Sequence, residues 1–202
     1  MNDRPRHFEE FEPYREVVPG APADIDAFLD WISGQPEGVR FELSRGRVYK
    51  SMVWVSRAHA SICANIMFEL MNRLDRDMFQ ISAAEFGVRT PHGARFPDVM
   101  VDPAGGPPLE KAAKRPSLLV EVLSPSTEDV DFGEKLEEYQ TIDSLQHYMI
   151  CSQTGRKVWL WTRNSGDWPA DPEIISDQSG IIALSALAID LPMVAIYRGI
   201  RF

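Results

Sequence analysis

Residues 118–123 read Leu-Leu-Val-Glu-Val-Leu, and this run constrains the fold more than any other segment. As a strand, both of its pleats are apolar except at Glu121. Such a strand must be buried on both sides, which requires a sheet covered by helices on two faces. The flanking chain supplies the other strands. VRFEL and GRVYKSMVWV read as two strands joined through Ser44-Arg45-Gly46, a hairpin signal. MFQISAAEFGVRT reads as one or two strands, FPDVMVD as another and PAGGPPLEKAAKR as a loop. HYMICS and KVWLWTR form a second hairpin across Gln-Thr-Gly-Arg. From about Gly166 onward follow a polar loop, a short strand pair and an apolar C-terminal segment.

Three segments have helical periodicity. Asp24 caps a helix from Ile25 to about Ser33, with Ile25, Phe28, Leu29 and Ile32 on one face and Gly34 ending it. Ser56 caps a long helix from about Arg57 to Asp75. Ile62, Ile66, Leu70 and Leu74 make its apolar stripe, widened by Met67 and Met71. The third lies in SPSTEDVDFGEKLEEYQTI, capped by Ser126 or Thr127, with Glu128 and Asp129 in the first turn where the helix dipole favours them. Strands outnumber helices, so the expected class is α/β (α+β), a mixed central β-sheet flanked by helices. Residues 1–22 carry four prolines and read as an extended N-terminal arm; residues 23–202 read as a single domain.

Composition narrows the function classes. The 202 residues, 44% hydrophobic and 25% charged, suit an ordinary globular chain, and two cysteines cannot form a disulfide scaffold. No stretch approaches the roughly 18–20 apolar residues that span a membrane, and the N-terminus has no apolar core like that of a secretory signal. Cys63 and Cys151 read as reduced core thiols, an expectation that places the chain in the cytoplasm. The net charge of −9 argues against broad coating of nucleic acid. It leaves room for a local basic patch or a metal-bridged contact. There is no Gly-rich phosphate loop, no Cys/His zinc spacing and no G-x-S-x-G, which disfavours nucleotide kinases, zinc hydrolases and acyl hydrolases.

The chemistry-bearing residues follow from strand arithmetic. The loop Pro103–Arg115 is centred on Leu109, and Asp98 and Glu121 lie eleven and twelve residues from that centre. Antiparallel pairing would set the two acids nearly opposite, with Cβ atoms about 4.5–5.5 Å apart. Two carboxylates that close repel unless one is protonated or a cation lies between them. Mg²⁺, a hard cation with oxygen ligands, is the natural choice. Asp98 alone also reads as a strand-end cap, and Glu121 as edge-exposed or paired. Lys135, four residues after Asp131 and four before Tyr139, shares a face with both and can point at the acids; alone, Asp131–Lys135 reads as a surface ion pair. His59, three residues before Ile62, reads alone as a half-buried, hydrogen-bonded histidine, and Glu42 as a solvent-facing strand residue. Arg40, Arg45, Arg47, Lys50 and Arg57 cluster around the first hairpin, as a phosphate-contacting patch or a solvated basic face.

Taken together, FELSRGRVY, His59 at a helix start, FPDVMVD and LLVEVLSPSTEDVDFGEKLEEY resemble the Uma-two family of the PD-(D/E)xK, restriction-endonuclease-like superfamily. The most specific part is EVLSPST followed by Asp131, Lys135 and Tyr139. HYMICS is similar to the strand that follows, and the resemblance covers roughly residues 24–198. It implies metal-dependent hydrolysis of DNA phosphodiester bonds at one sheet end. Asp98 and Glu121 would be the metal ligands, Mg²⁺ the cofactor with Mn²⁺ able to substitute, and Lys135 the catalytic lysine. The superfamily pattern expects lysine at position 123, where this chain has Leu123. Glu42 and His59 match family positions that would activate water or complete the metal shell. Cutting both strands of a duplex further implies a homodimer. Two other readings stand beside this one. Leu123 and the −9 charge suit a catalytically silent nucleic-acid-binding or regulatory module. Trp54, Trp159, Trp161 and Trp168 would serve an oligomeric interaction protein, although they read equally as core and hairpin residues.

Overall fold

The computed structural model describes residues 15–36, 38–52, 55–123 and 128–202. Strand β1 (Arg15–Val17) lies within the segment read as an arm, residues 1–22, of which residues 1–14 lie outside this description. Helix α1 (Ile25–Ile32) begins where the Asp24 carboxylate accepts from the Ala27 N–H at 3.0 Å. It buries Phe28 and Leu29 against Phe41 and Leu43 of β2 (Val39–Ser44). β2 turns into β3 (Arg47–Met52) through Arg45 and Gly46, both with positive φ (49° and 75°), as a two-residue hairpin turn demands. Val53 and Trp54, read as continuing this strand, lie outside the described residues.

Helix α2 (Arg57–Arg73) starts at Ser56, whose hydroxyl accepts from the His59 N–H at 3.0 Å. It ends two residues before Asp75, because Leu74 turns extended. The next expected strand segment divides into β4 (Phe79–Ala83) and β5 (Gly87–Thr90), followed by β6 (Gly93–Arg95). Then come β7 (Val99–Pro103), β8 (Ala112–Ala113) and β9 (Leu118–Val122). β8 is a departure from the sequence reading, which took its segment as loop throughout; it runs parallel to β5. Two alanines carry too little pattern to announce a strand. β10 (His147–Cys151), β11 (Val158–Thr162), β12 (Glu173–Ile175) and the pair β13 (Ile181–Leu184) and β14 (Ile189–Pro192) complete the strands.

The larger sheet has the order β12-β11-β10-β9-β7-β4 and is mixed, with β9–β10 parallel and its other pairs antiparallel. One pleat, with Val99, Val101, Leu118, Val120 and Val122, packs on Ile62, Ile66 and Leu70 of α2. The opposite pleat, with Met100, Leu119, Tyr148, Ile150, Trp159 and Trp161, packs under the helix that follows β9. Each fully buried large side chain contributes roughly 1.5–3 kcal/mol. The sheet is thus covered on both faces, as the 118–123 run requires. A second six-stranded sheet, β1-β3-β2-β6-β5-β8, carries α1. At Gly93 a Cβ would fall 1.9 Å from the Leu43 carbonyl oxygen, so only glycine lets β6 approach β2 this closely. That approach delivers Arg95 to Glu42 and Ser44.

The helix after β9 is α-helical over Glu128–Val130, π-helical over Asp131–Lys135 and α-helical again over Leu136–Gln140. Its expected caps, Ser126 and Thr127, lie outside the described residues. Single π-turns are rare and are often found where a helix must aim functional side chains. No helix among the described residues is long and apolar enough to cross a membrane.

Candidate active site

Strand register brings the two acids together. β7 and β9 pair antiparallel with Val99 opposite Val120 and Met100 opposite Leu119, which leaves Asp98 and Glu121 each one residue beyond the last paired positions at the same end of the ladder. The antiparallel pairing of the strands is the one expected from the loop centred on Leu109. Asp98 sits just before β7, where its Oδ2 accepts from the Val122 N–H at 2.8 Å. It is therefore both an end-cap of the ladder and a member of the acid pair. Its Oδ1 lies 3.4 Å from His59 Nε2 and 3.7 Å from Arg40 Nη1. Burial disfavours ionised Asp98. The hydrogen bond and charge of His59, the Arg40 guanidinium and the Val122 N–H outweigh burial and hold the carboxyl below its ordinary range.

Glu121 is 2% exposed, on the pleat of Leu119 and Leu123. Its Oε1 accepts from Tyr139 OH at 2.9 Å and lies 3.0 Å from Lys135 Nζ. Burial pushes its carboxyl up, Lys135 opposes this, and Asp131, Asp98 and Glu42 reinforce it. Lys135 is 3% exposed and also touches Asp131 Oδ1 at 2.9 Å and Glu42 Oε1 at 3.8 Å. Burial works against its charge, but these three carboxylates keep the ammonium protonated well past its usual range. The surface-pair reading of Asp131–Lys135 is overturned: both residues are buried, on the side of their helix that meets Glu121.

Glu42, read in isolation as solvent-facing, is buried; within the second sheet it pairs with Arg95, 3.0 Å from its Oε2, and across to the helix after β9 it faces Lys135. Arg95 is fully buried. Its other partners are Glu138 Oε2 at 2.5 Å, Ser44 Oγ at 2.8 Å and Glu134 Oε2 at 3.5 Å. Sequence reasoning did not single out Arg95 or Glu138; a short strand, Gly-Ala-Arg, carries no periodic signal. Arg40, read as a phosphate contact, instead reaches Asp98. His59 is buried at the start of α2, and its Nδ1 has no hydrogen-bond partner among the described residues. Cys63, one turn later, offers a third donor: single ligand atoms of His59, Cys63 and Asp98 lie within 4.8 Å of one another. No Cys/His zinc spacing is expected from the two distant cysteines; this cluster instead joins one His and one Cys at i, i+4 on α2 to Asp98, just before β7.

The remaining basic candidates divide. Arg45, Arg47 and Arg57 are exposed, and Arg45 pairs with Glu137 at 2.9 Å. Lys50 is paired across from Phe41, on the α1 side of the second sheet, whereas Glu42 and Arg40 alternate onto the other side. Trp159 and Trp161 are buried in the core rather than presented to a partner, Trp168 is half-buried, and Trp54 lies outside the described residues.

The donor set fits a divalent cation. The buried carboxylates of Glu42, Asp98, Glu121 and Asp131 offer the hard oxygen donors that such an ion takes. The family model described as "Putative restriction endonuclease", Uma2, matches residues 25–191. The chain belongs to the Uma2 family. An uncharacterized Synechocystis sp. protein, slr1290, is 30% identical to this Uma2 protein over 182 residues, covering 88% of this chain and 92% of that one. A second protein of that organism, sll1609, is 34% identical over 85 residues, 36% of this chain and 48% of its own. A crystal structure described as a putative nuclease belonging to DUF820 from Anabaena variabilis superposes with a TM-score of 0.67. It is 13% identical and covers 84% of this chain and 96% of that one, a likeness of fold.

Proposed function

We infer that this Uma2 protein is a metal-dependent endonuclease that hydrolyses phosphodiester bonds in DNA. The observation that carries the reading is the convergence of Asp98, Glu121 and Lys135 at one sheet end, with Lys135 Nζ 3.0 Å from Glu121 Oε1. Asp98 and Glu121 would hold the ion, Mg²⁺ by the hardness of their oxygens, with Mn²⁺ as substitute. A bound divalent ion supplies a lowered pKa for a ligated water and polarises the scissile phosphate. Lys135, held protonated by its carboxylates, acts as a cation and donor rather than as a base. It orients the water or neutralises charge on the phosphorane, the task position 123 cannot perform with Leu123. Tyr139 and Val122 N–H fix the two acids in place. Glu42 and His59 flank them from two sides, placed to take the proton of the attacking water or to complete the metal shell. Exposed Arg45, Arg47 and Arg57 are the candidate backbone contacts, and a homodimer would supply one site per strand.

Incubating supercoiled plasmid with Mg²⁺ tests the reading. The wild type should nick or linearise it, while Lys135→Met and Glu121→Gln should not. Equal cleavage by all three proteins would refute it. A folded wild type that binds divalent metal yet cleaves no duplex, single-stranded or supercoiled DNA would favour the silent module, the reading that Leu123 supports.

A further inference from the structure

We propose that His59, Cys63 and Asp98 form a second cation position, selective for a borderline transition metal such as Zn²⁺ or Co²⁺. The position needs no part of Glu121 and stands whether or not the chain cleaves DNA. His59 and Cys63 are four residues apart on α2, one turn of a single helix face. Asp98 comes from the other side, its Oδ2 tethered by the Val122 N–H and its Oδ1 toward His59 Nε2 at 3.4 Å. One imidazole nitrogen, one sulfur and one carboxylate oxygen thus gather within 4.8 Å. His59 is 8% exposed, and Nε2 is its ring nitrogen that faces the Asp98 carboxylate.

The donor types decide the metal class. Mg²⁺ takes oxygen ligands and has no use for sulfur. A set of imidazole, thiolate and carboxylate, with a fourth position left to water, is the pattern in which Zn²⁺ is held when a site stays open. Bonds of about 2.0–2.3 Å ask the three donors to close by a shift on the order of 1 Å. Cys63 is half-buried, where α2 packs on the sheet. Binding breaks the Cys63 S–H bond and forms a metal–sulfur bond. The proton goes to solvent, and the sulfur keeps the electron pair it donates. No oxidant or reductant is required. Because Asp98 serves both positions, filling this one takes an acid away from the Asp98–Glu121 pair.

The test is absorption spectroscopy of the reduced, full-length chain titrated with Co²⁺. The wild type should develop a thiolate-to-cobalt charge-transfer band in the near ultraviolet, which excess Zn²⁺ abolishes. Cys63→Ser should lose the band and bind Zn²⁺ at least about tenfold more weakly. Cys151→Ser and Glu121→Gln should keep the band, the latter separating this position from the proposed nuclease site. Cys63→Ala, with far-ultraviolet circular dichroism for all variants, guards against a folding defect. A wild type without the band at saturating Co²⁺, a band that survives in folded Cys63→Ser, or one lost in Cys151→Ser instead would overturn the proposal.

Discussion

Removing Arg95 should unfold the chain more readily than removing any surface cation. Its guanidinium is 0% exposed and engages Glu138 at 2.5 Å, Glu42 at 3.0 Å and Ser44 at 2.8 Å, linking the second sheet to the π-turned helix. In Arg95→Met the stem is roughly conserved in volume, but Glu42 and Glu138 stay buried with less counter-charge. Breaking one partner out of a buried ion pair costs about 3–5 kcal/mol. For a chain of this length about 1 kcal/mol shifts Tm by roughly 2–4 °C, so the expected drop lies near 6–20 °C. Urea unfolding at pH 7.5 reads the free energy and calorimetry the midpoint. Arg95→Met/Glu138→Gln should recover part of the loss, since it removes one of the stranded charges. A single variant less than about 1 kcal/mol below wild type would refute the claim that this network ties the second sheet to the helix after β9.

Three further outcomes follow from local features. Buried His147 is pulled down to about 4 by desolvation, with Thr162 Oγ1 at its Nδ1 and the Ala186 N–H donating to its Nε2. The unfolded chain takes up that proton near pH 6.5 and the folded one does not. Stability should therefore be undiminished above about pH 6.5 and fall as the pH drops toward 4, and His147→Gln should flatten that limb in pH-dependent urea titrations. Ser56→Ala should cost about 1 kcal/mol by removing the α2 cap and should loosen His59, seen as faster amide exchange in the first turn. Gly93→Ala drives a Cβ into the Leu43 carbonyl and should abolish cooperative unfolding or lower Tm sharply; a near-wild-type melt would contradict the β2–β6 geometry.

What was legible in the sequence follows the reach of each signal. The caps Asp24 and Ser56 are local chemistry, and both act where the pattern placed them. The antiparallel β7–β9 pairing was legible because a single connection joins the two strands, so its centre sets the register. Lys135 was placed by its i−4 and i+4 neighbours Asp131 and Tyr139, which also approach the acids. Partners drawn from elements far apart in the chain were not legible. Arg95, Glu42 and Glu138 come from β6, β2 and a π-turned helix, and the π-turn shifts helical spacing in a way no 3.6-residue pattern reveals. Cys63 read as core because its stripe is apolar, and its approach to Asp98, thirty-five residues on, is written in no local pattern.

Isothermal titration of Mn²⁺ into the wild type, Asp98→Ala and Glu121→Gln, each with and without a short duplex whose phosphates can complete the shell, tests the central claim most directly. The account predicts saturable binding by the wild type that Asp98→Ala and Glu121→Gln each lose while remaining folded. Wild-type-like Mn²⁺ binding in both variants, or none in the wild type even with duplex present, would contradict it.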